Sequence, residues 1–187
     1  MKESWRRFRK NKGAVAGLLI VLVTIFIAVL APSLAPHSPI AIFDNQYRIP
    51  PAWKSGGTFN FILGTDDVGR DLLSRLIFGA RVSLGVGLLT VVFATLVGTL
   101  IGLIAGYNGG KVDSFIMQGV DVLMSLPSVL LAIVVVSILG PGLFNAVLAV
   151  SVVALPNFIR IVRAAVLEEK SKDYVAASRS FGAGWFH

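Results

Sequence analysis

Residues 122–159 read VLMSLPSVLLAIVVVSILGPGLFNAVLAVSVVALPNFI and carry no charged side chain. As a single helix this stretch would be about 57 Å long at about 1.5 Å per residue. A lipid hydrocarbon core is only about 30 Å thick, so the stretch predicts two membrane spans rather than one. Gly140, Pro141 and Gly142 lie near its middle, where we expect them to break the helix.

Two further prolines, Pro127 and Pro156, fall one in each half of the stretch. Proline removes a backbone donor, and at membrane depth the freed carbonyl needs a partner inside the protein. We therefore add both prolines to the predicted helix breaks. Broken helices often line a transport path, but proline is equally an ordinary helix-packing device, and both interpretations stay open.

An earlier uncharged run, Gly13–Ala31, is also long enough to cross a membrane. The twelve residues before it hold six Lys or Arg, a pattern that a secretory signal shares. Prolines rather than a clear cleavage site follow the run, which favours an uncleaved first span. Residues 32–60 show no sustained periodicity and are expected to form an extracytoplasmic loop.

Residues 61–84 predict an amphipathic helix leading into another span, Val82–Gly106. Acid–base pairs at i,i+4 spacing, Asp66–Arg70 and Asp71–Arg75, are expected on its charged face.

Gly98, Gly102 and Gly106 form two overlapping GxxxG steps on one face of that span. Small residues at this spacing let a second helix approach closely, so we predict a helix-packing face. The alternative is that membrane helices are simply rich in glycine.

The composition excludes several functional classes. Only 14% of the residues are charged, against about 25% in soluble domains, and there is no cysteine. The two histidines, His37 and His187, stand far apart without other ligand residues, so we expect no metal site and no catalytic residue. No phosphate-binding loop pattern occurs, and the net charge of +7 comes from residues flanking apolar runs rather than from a nucleic-acid surface.

The distribution of basic residues predicts the orientation. Segments 1–12, 107–112 and 160–187 hold twelve of the 17 Lys and Arg residues, and segments 32–81 and 140–142 hold the other five. Lys and Arg concentrate in cytoplasmic loops, so the first set, including the N-terminus, is expected inside. Asp113 and Asp121 then fall near the cytoplasmic side, where pairing with Lys111 or Arg163 is favoured over an ion relay.

The segment 160–187, RIVRAAVLEEKSKDYVAASRSFGAGWFH, is charged and compatible with helix. Tyr174, Val175 and Ala177 would form an apolar patch on a helix exposed to the cytoplasm, which indicates a docking surface for a protein partner. Gly182 is expected to end that helix.

Several segments together carry a resemblance to a known family. They are NKGAVAGL, GTDDVGRDLLSRLIFGARVSL, LIAGYNGGKVD, DVLMSLPSVLLA, ALPNFIRIVRAAVLE and DYVAASRSFGAG. The second matches the family pattern GTDxxGRDxxSRxxxGxRxSL. The chain resembles the integral-membrane permeases of ABC importers for dipeptides, oligopeptides and nickel, and most closely the dipeptide branch.

The resemblance implies a role for the C-terminal segment. In the family, a short cytoplasmic coupling helix docks in a cleft of the ATPase subunit and carries the pattern EAA, three residues, then Gly. Aligned on Gly182, this chain has Ala176, Ala177 and Ser178 in the EAA places, without the usual acid. The implied contact surface runs from Tyr174 to Ser178, with Arg179 as a polar contact and Gly182 as the turn. The residues implied to form the coupling helix and its turn are therefore Tyr174, Val175, Ala176, Ala177, Ser178, Arg179 and Gly182.

The implied fold is an all-α polytopic transmembrane helical bundle of the type I ABC importer permease type, with four of an expected six spans present. Residues 1–80 would form the N-terminal cytoplasmic helix, first span and extracytoplasmic loop. Residues 81–187 would form the transmembrane core, truncated at the coupling helix.

The implied function is the translocation of dipeptides or short oligopeptides across the bacterial cytoplasmic membrane by alternating access. The partners would be a second permease subunit, two ATPase subunits, an extracytoplasmic solute-binding protein and the lipid bilayer, with no nucleic acid. The chain itself would be no enzyme and bind no cofactor, since ATP and Mg would sit on the ATPases. The alternatives are a permease of the same fold for nickel, glutathione or another small solute, or a truncated scaffold that only docks ATPase subunits.

Overall fold

The computed structural model describes residues 2–182, apart from the side chains of residues 2–4, 7 and 179. Every regular element in this part of the chain is helical, which confirms the predicted all-α class. The helices are α1 (Lys2–Lys10), α2 (Lys12–Val29), α3 (Ala31–Leu34), α4 (Leu72–Asn108), α5 (Gly110–Ser125), α6 (Ser128–Leu139), α7 (Leu143–Lys170) and α8 (Asp173–Ser180). The chain divides into two compact units, Met1–Gly85 and Val86–His187.

Within the described residues three helices, α2, α4 and α7, are long and apolar enough to cross a membrane. In α2 the consecutive side chains Leu19, Ile20, Val21 and Leu22 are all more than half exposed. Successive helical residues are turned by about 100°, so α2 is apolar around its whole circumference, as a lipid-facing helix requires.

The first unit contains a loop, residues 35–71. Backbone hydrogen bonds within this loop hold its segments together. Thr65 N donates to Ile49 O at 3.1 Å, and Arg48 N donates to Asp66 O at 3.1 Å. The Thr65 hydroxyl donates to Gln46 O and accepts from Ile49 N. Gly64 has φ +82°, and a Cβ there would stand 2.2 Å from Ile49 O, so only glycine fits this approach.

Asp71 caps the start of α4. Its side chain accepts hydrogen bonds from Ser74 N at 3.0 Å and from Ser74 Oγ at 2.5 Å, which satisfies a free donor of the first helical turn. The predicted Asp71–Arg75 ion pair is therefore wrong, and Arg75 pairs with Asp66 instead. The predicted Asp66–Arg70 pair is present at 2.9 Å. The amphipathic helix predicted over 61–84 begins only at Leu72, because the residues before it are held in the loop.

The second unit shows how the uncharged stretch 122–159 is divided. Gly140, Pro141 and Gly142 separate α6 from α7, as predicted. The stretch also breaks at Leu126–Pro127, where α5 and α6 meet at 99°. The described residues thus hold three candidate spans, or four if this bent pair counts as one span, and the higher number agrees with the predicted four.

The two isolated prolines behave differently. Leu126 is extended, with φ −90° and ψ 139°, as the residue before proline prefers, and the helix ends there. Pro156 lies inside α7, which runs without interruption from Leu143 to Lys170. The predicted break at Pro156 is therefore wrong.

Candidate functional site

The candidate docking helix α8 follows α7 after only two residues, Ser171 and Lys172. Glu169 on α7 organises this joint, which we call the α7–α8 joint. Its carboxylate accepts hydrogen bonds from Lys172 Nζ and from the Tyr174 hydroxyl. The Ser171 hydroxyl donates to Glu168 O at 2.7 Å, so the joint is bridged by side chains as well as by the backbone.

The same contacts favour the protonated forms of Lys172 and Tyr174. The hydrogen bond with Glu169 raises the pKa of Lys172 and likewise raises the pKa of the Tyr174 phenol. Both groups keep their protons at neutral pH, so Lys172 stays charged and Tyr174 stays a donor.

The surface of α8 differs from the predicted apolar patch in one respect. Tyr174 and Ala177 are exposed, but Val175 is half-buried and lines a groove of about 220 Å³ with Tyr107 and Val166. Val175 therefore belongs to the packing of α8 against its own chain. Two further predicted contact residues, Ala176 and Ser178, are exposed.

The residue that the sequence analysis missed on this surface is Phe181, whose side chain is 93% exposed. It lies seven residues after Tyr174, and Ala177 lies between them, so the spacing i, i+3, i+7 would have placed all three on one helical face. We call Tyr174, Ala177 and Phe181 the α8 outer face.

Gly182 follows α8 with φ +83° and open space where a Cβ would lie. A left-handed residue just after the last turn is a common way to end a helix. Arg179 was predicted to be a polar contact, and its side chain is not among those that the structure describes. His187 also lies outside the described residues.

The three glycines of α4 lie directly against α7. A Cβ at Gly98 would stand 2.6 Å from Phe158 Cβ, and a Cβ at Gly102 would stand 2.8 Å from Val162 Cβ. At Gly106 the corresponding distance to Val166 Cβ is 2.8 Å. Real Cβ atoms do not approach so closely, so the backbones of α4 and α7 can lie this near only because these positions are glycine.

Charged side chains join α5 to α7 in the same unit. Arg163 binds Asp113 through two hydrogen bonds, of which Nη2 to Oδ2 measures 2.5 Å. Arg160 binds Asp121 at 2.5 Å. The carboxylates thus take part in ion pairs, as expected for Asp113 with Arg163, and Arg160 is the partner of Asp121 that the sequence analysis did not name.

A third link joins α7 to the end of α4. Lys170 Nζ donates to the carbonyl of Tyr107 at 2.7 Å and lies 5.8 Å from the centre of the Tyr107 ring. Lysine near a helix end is well suited to satisfy a carbonyl of the last turn. The C-terminal half of α7 is therefore bound to both α4 and α5.

A cleft of about 270 Å³ lies at the break between α5 and α6. Met124 and Leu126 line it from the end of α5, and Pro156 and Asn157 line it from α7. Its lining also includes Leu123, Ser128, Leu131 and Val153. Among the described residues no group of three or more His, Cys, Asp or Glu could hold a metal ion.

Comparison with protein families gives two matches. Residues 98–187 match the family described as binding-protein-dependent transport system inner membrane component. Residues 1–51 match the N-terminal TM domain of oligopeptide transport permease C.

Curated relatives match almost the whole chain. It is 53% identical over 184 residues to the dipeptide transport system permease of Escherichia coli K12, covering 98% of this chain and 61% of that protein. It is 50% identical over 184 residues to the di/tripeptide transport system permease of Pseudomonas aeruginosa UCBPP-PA14, with the same coverage. A glutathione transport system permease of Pectobacterium atrosepticum is 41% identical over 182 residues, covering 97% and 59%. The chain thus spans about three fifths of the length of these relatives.

Proposed function

We propose that the chain, which matches the family of binding-protein-dependent transport system inner membrane components over residues 98–187, is the permease subunit of an ATP-driven ABC importer for dipeptides or short oligopeptides. The observation that carries this proposal is identity of 50–53% across 98% of the chain to permeases named for di- and tripeptides. The relative named for glutathione, itself a short peptide derivative, makes glutathione the second candidate substrate at 41% identity.

The proposed setting is the bacterial inner membrane, with the N-terminus in the cytoplasm. The chain pairs with a second permease subunit, stands on two ATPase subunits that bind ATP and Mg, and receives substrate from an extracytoplasmic solute-binding protein. The basic residues before α2 and around α8 support this orientation, because Lys and Arg favour the cytoplasmic side.

In the proposed mechanism, α8 is the coupling helix, and its outer face docks on an ATPase subunit. Three features support this role: the exposed Tyr174, the exposed Phe181 and the side-chain contacts of the α7–α8 joint. Closure of the ATPases around ATP then displaces α8 and shifts the membrane helices between inward-open and outward-open states. A ligand shifts such an equilibrium only by its difference in affinity for the two states.

Gly182→Ala tests the role of α8. A Cβ finds open space at Gly182, but alanine at φ +83° is strained, which costs about 1–2 kcal/mol. Relief of that strain moves the end of α8 from its native turn, so peptide uptake per ATP hydrolysed should fall by about 2- to 30-fold, within the range of coupling changes that single substitutions produce. The measurement is uptake and ATP hydrolysis in proteoliposomes holding the assembled transporter.

Gly109→Ala is the matched control, because Gly109 also has positive φ and open space but lies in the α4–α5 turn. It should carry the same backbone strain and keep the ratio of uptake to hydrolysis. Equal ratios for both variants would contradict the docking role of α8. Stable assembly with the ATPases but no uptake by the wild-type transporter would favour a scaffold over a permease.

A further inference from the structure

Arg163 and Arg160 do more than satisfy two carboxylates, because they connect a helix that leads into α8 to a helix that does not. The segment Arg160–Lys170 is the last part of α7 before the α7–α8 joint. Asp113 and Asp121 lie on α5, which the chain connects to α7 only through α6 and the turn at 140–142. These two ion pairs are therefore tertiary links rather than contacts within one helix.

The geometry of the Asp113–Arg163 pair favours a durable link. Both planar groups engage through two hydrogen bonds, and the side chains are only 15% and 30% exposed. Bidentate arginine–carboxylate pairs fix orientation as well as distance. Removal of one partner leaves the other charge uncompensated in a partly buried place, which makes the pair costly to open.

The second pair, Asp121–Arg160, extends the link along both helices. Asp121 lies eight residues after Asp113 on α5, and Arg160 lies three residues before Arg163 on α7. The side chains of this pair are 62% and 44% exposed, so it is the weaker of the two attachment points, and it opposes pivoting of α5 about the first. Asp121 is also close to the break at Leu126–Pro127, where the cleft opens.

The last turn of α7 is also connected to α8. Glu169 accepts from both Lys172 and Tyr174 across the α7–α8 joint, and these contacts restrain the orientation of α8 on α7. A displacement of α8 therefore reaches α7, and the two ion pairs pass it to α5.

We propose that Asp113, Asp121, Arg160 and Arg163 are positioning residues that make α5 move with α7 and α8 as one body, so that movement at the ATPase surface reaches the break at Leu126–Pro127. This inference rests on the proposed function. In it, both ion pairs stay closed in the inward-open and outward-open states.

Charge substitution in the assembled transporter tests the proposal. Asp113→Asn and Arg163→Gln should each lower peptide uptake per ATP hydrolysed by about 2- to 30-fold, the range of coupling changes seen for residues remote from ligands. The swap D113R/R163D restores the attraction and should return the ratio to within about twofold of wild type. Asp67→Asn removes an ion pair with Arg48 in which both side chains are more than 70% exposed and should leave the ratio unchanged. Wild-type ratios in both single variants, or a swap as impaired as the singles, would overturn the proposal.

Crosslinking gives a second measurement that does not depend on transport. The chain has no cysteine, so D113C/R163C introduces the only two thiols into this chain. A short bis-methanethiosulfonate reagent, from which each cysteine thiolate displaces methanesulfinate to form a reducible disulfide, should bridge them at the same rate with and without ATP, and bridging should restore the uptake ratio that the double substitution lowers. A bridging rate that changes severalfold with ATP would show that α5 and α7 separate, and would overturn the proposal.

Peptide uptake and the bridging rate together distinguish failure of this inference from failure of the proposed function. Failure of wild-type peptide uptake would count against the proposed substrate or activity, while an ATP-independent bridging rate would still support α5 and α7 as one body. Normal wild-type uptake with an ATP-dependent bridging rate would leave the function intact and reject the inference.

Discussion

Asp66 accepts hydrogen bonds from its own loop and from Arg75 of α4. Its carboxylate accepts from the backbone of Arg70 and Val68, each at 2.9 Å, and from the side chain of Arg70. These contacts, the backbone hydrogen bond from Arg70 first, hold the pKa of Asp66 well below its ordinary value of 3.8. The carboxylate is thus a fixed structural acceptor that shapes the loop before α4.

The lowered pKa has a defined consequence for stability. Because the folded protein binds this proton less readily than the unfolded chain, the stabilisation is complete above the ordinary pKa and is lost as the pH falls. In detergent, the midpoint of thermal unfolding of wild type should therefore exceed that of Asp66→Asn by a constant margin above about pH 5. That margin should shrink below about pH 4.

Asp67→Asn is the control for this prediction. Asp67 lies beside Asp66, but its carboxylate pairs with the Arg48 guanidinium at the surface, where solvent screens the interaction. The difference in unfolding midpoint between wild type and Asp67→Asn should be close to zero at every pH. An Asp66→Asn margin that grows as the pH falls would show that the carboxylate does not stabilise the loop.

At the scale of elements, the close contact of α4 with α7 predicts a difference between two glycines of one helix. Gly102→Ala places a Cβ 2.8 Å from Val162 Cβ and 2.9 Å from Ile159 O, and such overpacking costs about 1–3 kcal/mol. Gly87→Ala meets nothing within 4 Å and should be neutral or stabilise the helix by up to about 1 kcal/mol.

The measurement is the midpoint of thermal unfolding of the two variants in the same detergent. A large fall for Gly102→Ala with no fall for Gly87→Ala is expected. If both variants unfold at the wild-type midpoint, the glycine face of α4 does not determine how closely α7 packs.

The prolines show where prediction from sequence stops at this scale. Pro127 and Pro156 sit in similar apolar contexts, LPS and LPN, yet the first ends a helix and the second lies within one. The outcome depends on whether the preceding residue is held helical by packing around it, and that packing comes from other parts of the chain. Pro156 is buried, so the continuous helix α7 is supported by neighbours that no local pattern reveals.

At the scale of the whole molecule, the patterns of charge and hydropathy predicted the helices more successfully than the sequence predicted individual contacts. The long uncharged runs identified the apolar helices, and the glycine spacing identified the face of α4 that meets α7. The sequence did not predict the pairing of Arg160 with Asp121, because these residues lie on two helices that only folding brings together. It did not predict the cap formed by Asp71, because that depends on where α4 begins. Phe181 was missed although its spacing from Tyr174 was visible in the sequence.

The orientation of the chain in the membrane is the remaining whole-molecule prediction. The segments predicted inside hold twelve of the 17 Lys and Arg residues, and moving those clusters across a bilayer would oppose the usual charge bias. We expect a Cys at Ser171, beside α8, to face the cytoplasm and a Cys at Ser55, in the loop 35–71, to face outward. Both serines are exposed, so accessibility within the protein does not separate them.

A membrane-impermeant thiol reagent can distinguish these positions because the chain has no cysteine of its own. In intact spheroplasts Ser55→Cys should be labelled at once, and Ser171→Cys should be labelled only after permeabilisation. The unsubstituted protein is the control for background labelling. Labelling of Ser171→Cys before permeabilisation would place α8 on the outer side, where no cytoplasmic ATPase could reach it, and the proposed coupling through α8 would fail.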